Sequence, residues 1–206
     1  MTAADGDLEL LRVPQVIQQR WQEFVLRGRT DYSVMVLDQR LVVRAQGRNS
    51  ASGLLREVEV DVEECPELVW SWRVDKLQPA ADIRVKAKED VAASIFLLFG
   101  DPGMLVLPDP VPTLRYVWTN DKVAQETVVD SPYLPGVVRS LVVRSGDRHL
   151  GEWLIEQRNV YDDFFKAFGH APEEDLYAVA LFTDNDQTRQ PVRAYYEWID
   201  IRCKGE

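Results

Sequence analysis

Arg158, Asp162 and Asp163 stand close together near the end of a predicted strand, and Thr183-Asp184-Asn185-Asp186 follows a hydrophobic run. An arginine, two acidic pairs and several aromatics thus gather in the last quarter of the chain. A guanidinium is a planar fork of donors that fits a carboxylate with two parallel hydrogen bonds. A hard cation instead needs several oxygens at once. Asp184-Asn185-Asp186 offers side-chain oxygens at alternate positions, which makes Asp184 and Asp186 candidate calcium ligands. The loop is not an EF-hand, because the sixth residue counted from Asp184 is Arg189, where glycine is required. A solvated hairpin bend uses the same residue types, so both readings stand. Asp162 or Asp163 is expected to cap a helix, leaving the other to pair with Arg158.

Three further groups bear on a ligand site. Trp70 and Trp72 alternate with Ser71 and Arg73, which puts the tryptophans on one face and the guanidinium on the other. The pair is either core or a platform for sugar rings. Arg73 in mid-strand needs a carboxylate, with Asp90 or Asp184 as the expected partner. Tyr116 and Trp118 share a face and could wall a pocket. In the ligand hypothesis Tyr116 and Trp118 supply that wall, Arg73 and Arg158 donate hydrogen bonds, and Asp90, Asp163 and Asp184 accept them.

Nucleophilic catalysis finds little support. No Gly-x-Ser-x-Gly elbow occurs, and His149 and His170 fall in turns without a metal-ligand partner. Neither Cys65 nor Cys203 has an activating context, and the two are expected to be buried thiols rather than a bridge. A disulfide would favour the periplasm. Paired carboxylates remain, since Asp90, Asp163, Asp184 and Asp186 could provide a glycosidase's acid and base.

The elements that must position these groups read as short strands. Leu54 to Val62 alternates valines with acids, one face for the core and one for water. Tyr32 to Val36 and Leu41 to Ala45 form a hairpin around Asp38-Gln39-Arg40. Strands follow at Val69 to Val74, Ile95 to Phe99, Leu114 to Trp118, Val137 to Arg144, Glu152 to Val160, Ala178 to Thr183 and Tyr195 to Arg202. Ile95 to Phe99 is apolar on both faces. A turn at Ser145-Gly146-Asp147 joins two of the strands. Pro14 to Val25 has helix-like spacing, and a second short helix spans residues 162–168, closed by Gly169. Residues 1–12 are expected as a flexible terminus.

At 206 residues the chain can form one large β domain with a substantial core. Its net charge of −10 and pI near 4.8 argue against binding a phosphate backbone. No run is long enough to span a bilayer. The amino terminus lacks the features of a secretory signal, which predicts a cytoplasmic protein, or a periplasmic one if a leader has been removed.

Several motifs occur in a characteristic order: Asn49-Ser50-Ala51-Ser52-Gly53-Leu54, Trp70-Ser71-Trp72-Arg73-Val74, Glu89-Asp90-Val91-Ala92-Ala93, Tyr116-Val117-Trp118, Arg158-Asn159-Val160 with Asp163, Phe168-Gly169 and Thr183-Asp184-Asn185-Asp186-Gln187-Thr188. This order, from about Trp21 to Cys203, resembles the bacterial family catalogued as domain of unknown function three-zero-four-seven. The pattern is also similar to galactose-binding jelly rolls found in carbohydrate-binding modules. In the family an arginine tends to follow the acidic pair, where this chain has Ser94.

The combined expectation is an all-β jelly-roll sandwich over residues 1–206, with the two short helices. Non-catalytic binding of a carbohydrate or other polar small ligand is the leading function, with calcium as a candidate cation. A carbohydrate-active hydrolase or lyase and a protein-interaction domain are the alternatives. Neither nucleic acid nor membrane insertion is expected, and the sequence does not specify an oligomeric state.

Overall fold

The computed structural model describes residues 7–12, 20–103 and 109–204. Their strands are β1 (Leu8–Arg12), β2 (Gln22–Arg27), β3 (Asp31–Leu37), β4 (Arg40–Gln46), β5 (Ala51–Val60), β6 (Glu67–Lys76), β7 (Ala93–Phe99), β8 (Thr113–Thr119), β9 (Val128–Asp130), β10 (Val138–Ser145), β11 (Leu154–Asn159), β12 (Leu176–Asp184) and β13 (Arg193–Arg202). The helix α1 (Val160–Phe168) follows β11 directly, and a single 3-10 turn spans Lys86–Lys88.

The strands build a jelly-roll sandwich of two sheets. One runs β11-β6-β13-β4-β3, with β1 sharing an edge of β13 with β4. The other runs β2-β5-β12-β7-β8-β10-β9. All pairings are antiparallel except that of β8 with β10. Period-two alternation sends one side of each strand inward. The resulting core holds Trp70, Trp72, Tyr116, Trp118, Tyr196 and Phe99, each at most 1 % exposed. Trp70 stacks on Tyr116 across the sandwich at 5.2 Å, and Trp72 lies 5.8 Å from Trp118. The tryptophan pair is therefore core, one of the two readings its alternation allowed.

The predicted hairpin of β3 and β4 closes through Asp38 and Gln39, both at positive φ (51° and 63°), as a two-residue hairpin turn requires. Elsewhere the structure corrects the expectations. Residues 8–12 are a paired strand rather than a flexible terminus, and Leu10 and Leu11 are fully buried. The amino-terminal helix falls largely on residues 13–19, outside the described residues, and from Gln22 the chain is β2. Phe24 and Val25 fit either periodicity locally, and pairing with β5 decides the outcome. The turn at 145–147 makes no hairpin, because β10 pairs with β8 and β9 whereas β11 crosses to the other sheet and pairs with β6. Asn159 caps α1 by accepting the Asp162 N–H at 3.0 Å, and Gly169 ends it at φ 83°. Neither Asp162 nor Asp163 is the cap.

Cys65 and Cys203 form a disulfide rather than two free thiols. The bridge joins the β5–β6 connection to the residue after β13 and closes a sequence separation of 138. A loop of that size strongly restricts the unfolded chain. Reduction, or the double substitution Cys65→Ser with Cys203→Ser, should lower stability by about 2–5 kcal/mol. Denaturant titration with and without reductant measures it, and an unchanged midpoint would contradict the bridge.

Candidate functional site

The outward face of the β6 sheet is a lattice of ion pairs. Arg73 donates to Asp75 and to Asp38, both at 2.7 Å, and lies over the Tyr195 ring. Arg40 meets Glu197 at 2.7 Å, Arg44 meets Asp31 at 3.2 Å, and Arg193 meets Asp75 at 3.3 Å. These pairs run from half-buried, as at Arg73 and Asp75, to exposed, as at Arg40, and the exposed ones contribute little stability each. Arg73 is thus not a partner of Asp90 or Asp184. It points away from the core, and nearer acids on β6 and at the β3–β4 turn satisfy it.

Arg158, Asp163 and Tyr116 meet in a second place. Arg158 grips Asp163 with two hydrogen bonds of 2.7 Å and reaches Glu126 at 2.8 Å. The Tyr116 hydroxyl donates to Asp163 at 2.9 Å. Burial, followed by the Asp163 charge, pushes this phenol well above its usual range. The network is closed and ties α1 to the core. Trp118 is 1 % exposed, with its indole N–H donating to the Gly146 carbonyl at 3.2 Å. Tyr116 and Trp118 therefore fill the interior and wall no open pocket. The expected single hollow joining Arg73, Arg158, Asp90 and Asp184 does not exist: these residues occupy three separate regions.

An open, largely apolar concave surface lies on the outward face of the β12 sheet. Two adjoining cavities of about 410 and 420 Å³ share Leu26, Phe96, Leu134 and Val138 and make one groove. Its floor is a row of phenylalanines. Phe24 stacks on Phe182 at 5.7 Å, and Phe182 on Phe96 at 5.0 Å. Gly53 makes the row possible, since it pairs with Phe24 on one side and Phe182 on the other. A Cβ there would lie 2.5 Å from the Leu181 carbonyl oxygen and closer still to the Phe24 ring.

At one end of the groove the Arg115 guanidinium, 4 % exposed, lies over Phe96, donates to Ser140 at 2.9 Å and pairs with Glu89. Beside it Asp90, Asp184 and Asp186 hold carboxylate oxygens within 4.8 Å of one another. Asp90 accepts the Gln187 and Thr188 N–H groups at 3.0 and 2.7 Å, together with the Thr188 hydroxyl. Asp184 accepts the Val91 N–H at 2.8 Å. Asp186 takes the Gln187 amide at 2.7 Å and faces Arg27 at 3.4 Å. The 184–186 segment is accordingly buried and not a solvated bend. Burial pushes the Asp184 carboxyl well above the usual range, and the Glu89 and Asp90 charges add to this. Calcium takes six to eight oxygens; the cluster provides three carboxylates, and hydrogen-bond donors already engage Asp90. Proton sharing and acceptance of hydrogen bonds are the chemistry these side chains support directly.

Sequence reasoning singled out Asp90, Asp184 and Asp186 but missed Phe24, Phe96, Phe182, Arg115 and Glu89. The available signal was Phe96: a strand apolar on both faces, in a sheet covered on only one, must present apolar side chains outward. His170 is exposed and His149 half-exposed, and neither lines the groove.

Gly53→Ala should cost about 1–3 kcal/mol, because the added methyl meets backbone as well as the Phe24 ring. Equilibrium unfolding measures it. Asp184→Asn keeps an acceptor for the Val91 N–H and removes the charge. The native carboxyl titrates above its unfolded value, so it favours the folded state most at acid pH and loses that benefit as pH rises through the native pKa. The variant should therefore gain stability relative to the parent between pH 5 and pH 8, and parallel pH profiles would refute this.

The family described as Protein of unknown function (DUF3047) matches residues 19–200. No curated protein matches the chain. Among solved structures, the chain is similar to the family 30 carbohydrate-binding module of cellulosomal cellulase Cel9D-Cel44B of Clostridium thermocellum, with TM-score 0.53, 8% identity and coverage of 97% of this chain and 99% of that one. It is also similar to the family 11 carbohydrate-binding module of cellulosomal cellulase Lic26A-Cel5E from the same organism, with TM-score 0.51, 8% identity and coverage of 99% and 98%. At such identity the likeness establishes the sandwich fold. The family match spans nearly the whole chain and agrees with the motif order read from the sequence; the chain belongs to the DUF3047 family.

Proposed function

We propose that the chain is a non-catalytic binding domain whose ligand, a carbohydrate or a similar polar small molecule, lies in the groove on the outward face of the β12 sheet. The phenylalanine row carries this reading. A sugar ring presents an apolar C–H face that packs on an aromatic floor, and its hydroxyls need partners at the edges. Asp186, Gln187, Arg27 and Tyr133 line one end and offer both donors and acceptors. The fold likeness to two carbohydrate-binding modules supports the same reading as an analogy.

The hydrolase alternative needs two carboxyl groups flanking the scissile bond, roughly 5–9.5 Å apart. Asp90, Asp184 and Asp186 instead gather on one side, at one end of the groove, with protein donors already engaging each, and Glu89 is paired with Arg115. This favours binding over catalysis. The Cys65–Cys203 bridge supports an oxidising compartment such as the periplasm as the place where the domain works.

A ligand that binds only the native state raises the melting temperature. A thermal-shift screen against a glycan panel should yield at least one stabilising compound. Phe96→Ala should then weaken its binding on the order of tenfold by calorimetry, through lost apolar contact. A panel with no stabilising compound, or a Phe96→Ala protein that binds as tightly as the parent, would overturn the proposal.

A further inference from the structure

The groove changes character along its length. On the outward face of β12 the side chains run Ala178, Ala180, Phe182 and Asp184, from apolar to acidic; the alanines are buried beneath Phe24, Phe96 and Leu98, and Phe182 and Asp184 reach the groove. Neighbouring strands follow the same gradient. Leu98 and Leu55 stand beside the alanines, whereas Ala51 stands beside Asp184. The cavity of about 410 Å³ at the alanine end is lined mainly by Phe24, Leu55, Leu98, Val111 and Val137. Its polar groups are few: the Thr113 hydroxyl already donates to the Val111 carbonyl at 3.0 Å, and Asp109 lies at the rim. The cavity of about 420 Å³ at the other end is lined by Arg27, Tyr133, Asp184, Asp186 and Gln187, besides the Arg115–Glu89 pair.

This division restricts the ligand. A sugar unit pressed into the apolar end would bury hydroxyls without partners, each weakening binding by about fivefold to a hundredfold. A methylene buried there strengthens it by about fourfold. At the acidic end the preference reverses, because hydrocarbon would strip water from Asp186 and Arg27 while offering neither a hydrogen bond. Hydroxyls donating to those carboxylates and accepting from Arg27 and Gln187 complement the lining charges.

We propose that the groove takes an amphiphile, with a polyhydroxy head such as a sugar at the Asp184–Asp186 end and a hydrocarbon tail along the Leu55–Leu98–Val111 end. The inference rests on the binding reading above and narrows its ligand class from a plain glycan to a glycoconjugate with an apolar portion.

Calorimetry on the intact chain with methyl, butyl, hexyl and octyl β-glucosides below their micelle concentrations tests it, alongside cello-oligosaccharides of increasing length and an octyl ammonium salt. Affinity for the glucosides should climb with tail length, by up to about fourfold per methylene, until the tail fills the apolar end. Leu98→Ser should flatten that climb, and Asp186→Asn should weaken every glucoside. If Leu98→Ser unfolds, Val137→Ser serves for the same end of the groove. A flat tail-length series with affinity rising per added sugar would overturn the amphiphile and leave the glycan reading in place. Tail-dependent binding that is equal for octyl glucoside and the ammonium salt would overturn the sugar head and the glycan reading together. Failure of all three ligand types to bind would overturn both proposals.

Discussion

Burial of the Tyr116 ring against Trp70 is the contact on which the rest of the molecule depends. The two residues come from β8 and β6, which belong to opposite sheets, and their stacking at 5.2 Å brings the sheets together. A tyrosine so placed brings a hydroxyl into a dry interior, where an unmet donor is costly. Asp163 meets it, but a lone buried carboxylate would be worse than the hydroxyl alone. Arg158 therefore grips Asp163, and Glu126 in turn joins Arg158 to Lys166. This chain of compensation fixes α1 against the sandwich, and Phe164 seals it by packing on Phe99 at 4.5 Å. The acid and arginine that looked like ligand groups are the consequence of burying one phenol.

Because the aromatic core uses the inward faces fully, the outward faces are free to differ. The β6 sheet presents interleaved arginines and acids that satisfy one another in water. The β12 sheet presents phenylalanine and leucine, which no packed layer of the described residues covers along the groove. An apolar concave face on an acidic, otherwise polar protein marks a contact surface. The contrast between the two faces, more than any single residue, is what supports placing the proposed ligand on the β12 sheet.

The strands and the sandwich were legible because alternation is local: Val58, Val60 and Val62 against Glu57, Glu59 and Asp61 needs no knowledge of neighbours. What failed was non-local. Trp21, Phe24 and Val25 fit a helical period, and only pairing with Gly53 and Ser52 on β5 makes Phe24 and Val25 strand. The turn at Ser145-Gly146-Asp147 could as well join paired strands, and the sheet to which β11 belongs depends on β6. Arg73 needed an acid, but sequence could not tell that Asp75 and Asp38 lay nearer than Asp90. Asp184 and Asp186 were legible through their alternate oxygens and Asp90 as a candidate partner of Arg73; that the three meet depends on β12 lying beside β7. Their companions Phe24, Phe96 and Phe182 looked like ordinary core, since a second apolar face is visible only once the sheet has only one partner.

The acidic end of the groove is rigid before any ligand arrives. The Asp184 N–H donates to the Val91 carbonyl at 3.2 Å and the Asp184 carboxylate accepts the Val91 N–H, so β12 and the segment entering β7 clasp each other. Gln78 secures the Asp184 carbonyl at 2.5 Å, and the backbone at Gln187 and Thr188 secures Asp90. Groups held in this way lose little freedom on binding, which favours affinity. The same arrangement is poor for stability, because it crowds acids where burial already disfavours their charged form. An amide at position 184 could accept the same backbone hydrogen bond without a charge, so the fold alone does not call for a carboxylate there. A buried acid that the backbone hydrogen bond alone does not require, fixed at the end of an aromatic groove, is placed to serve the binding proposed for that groove.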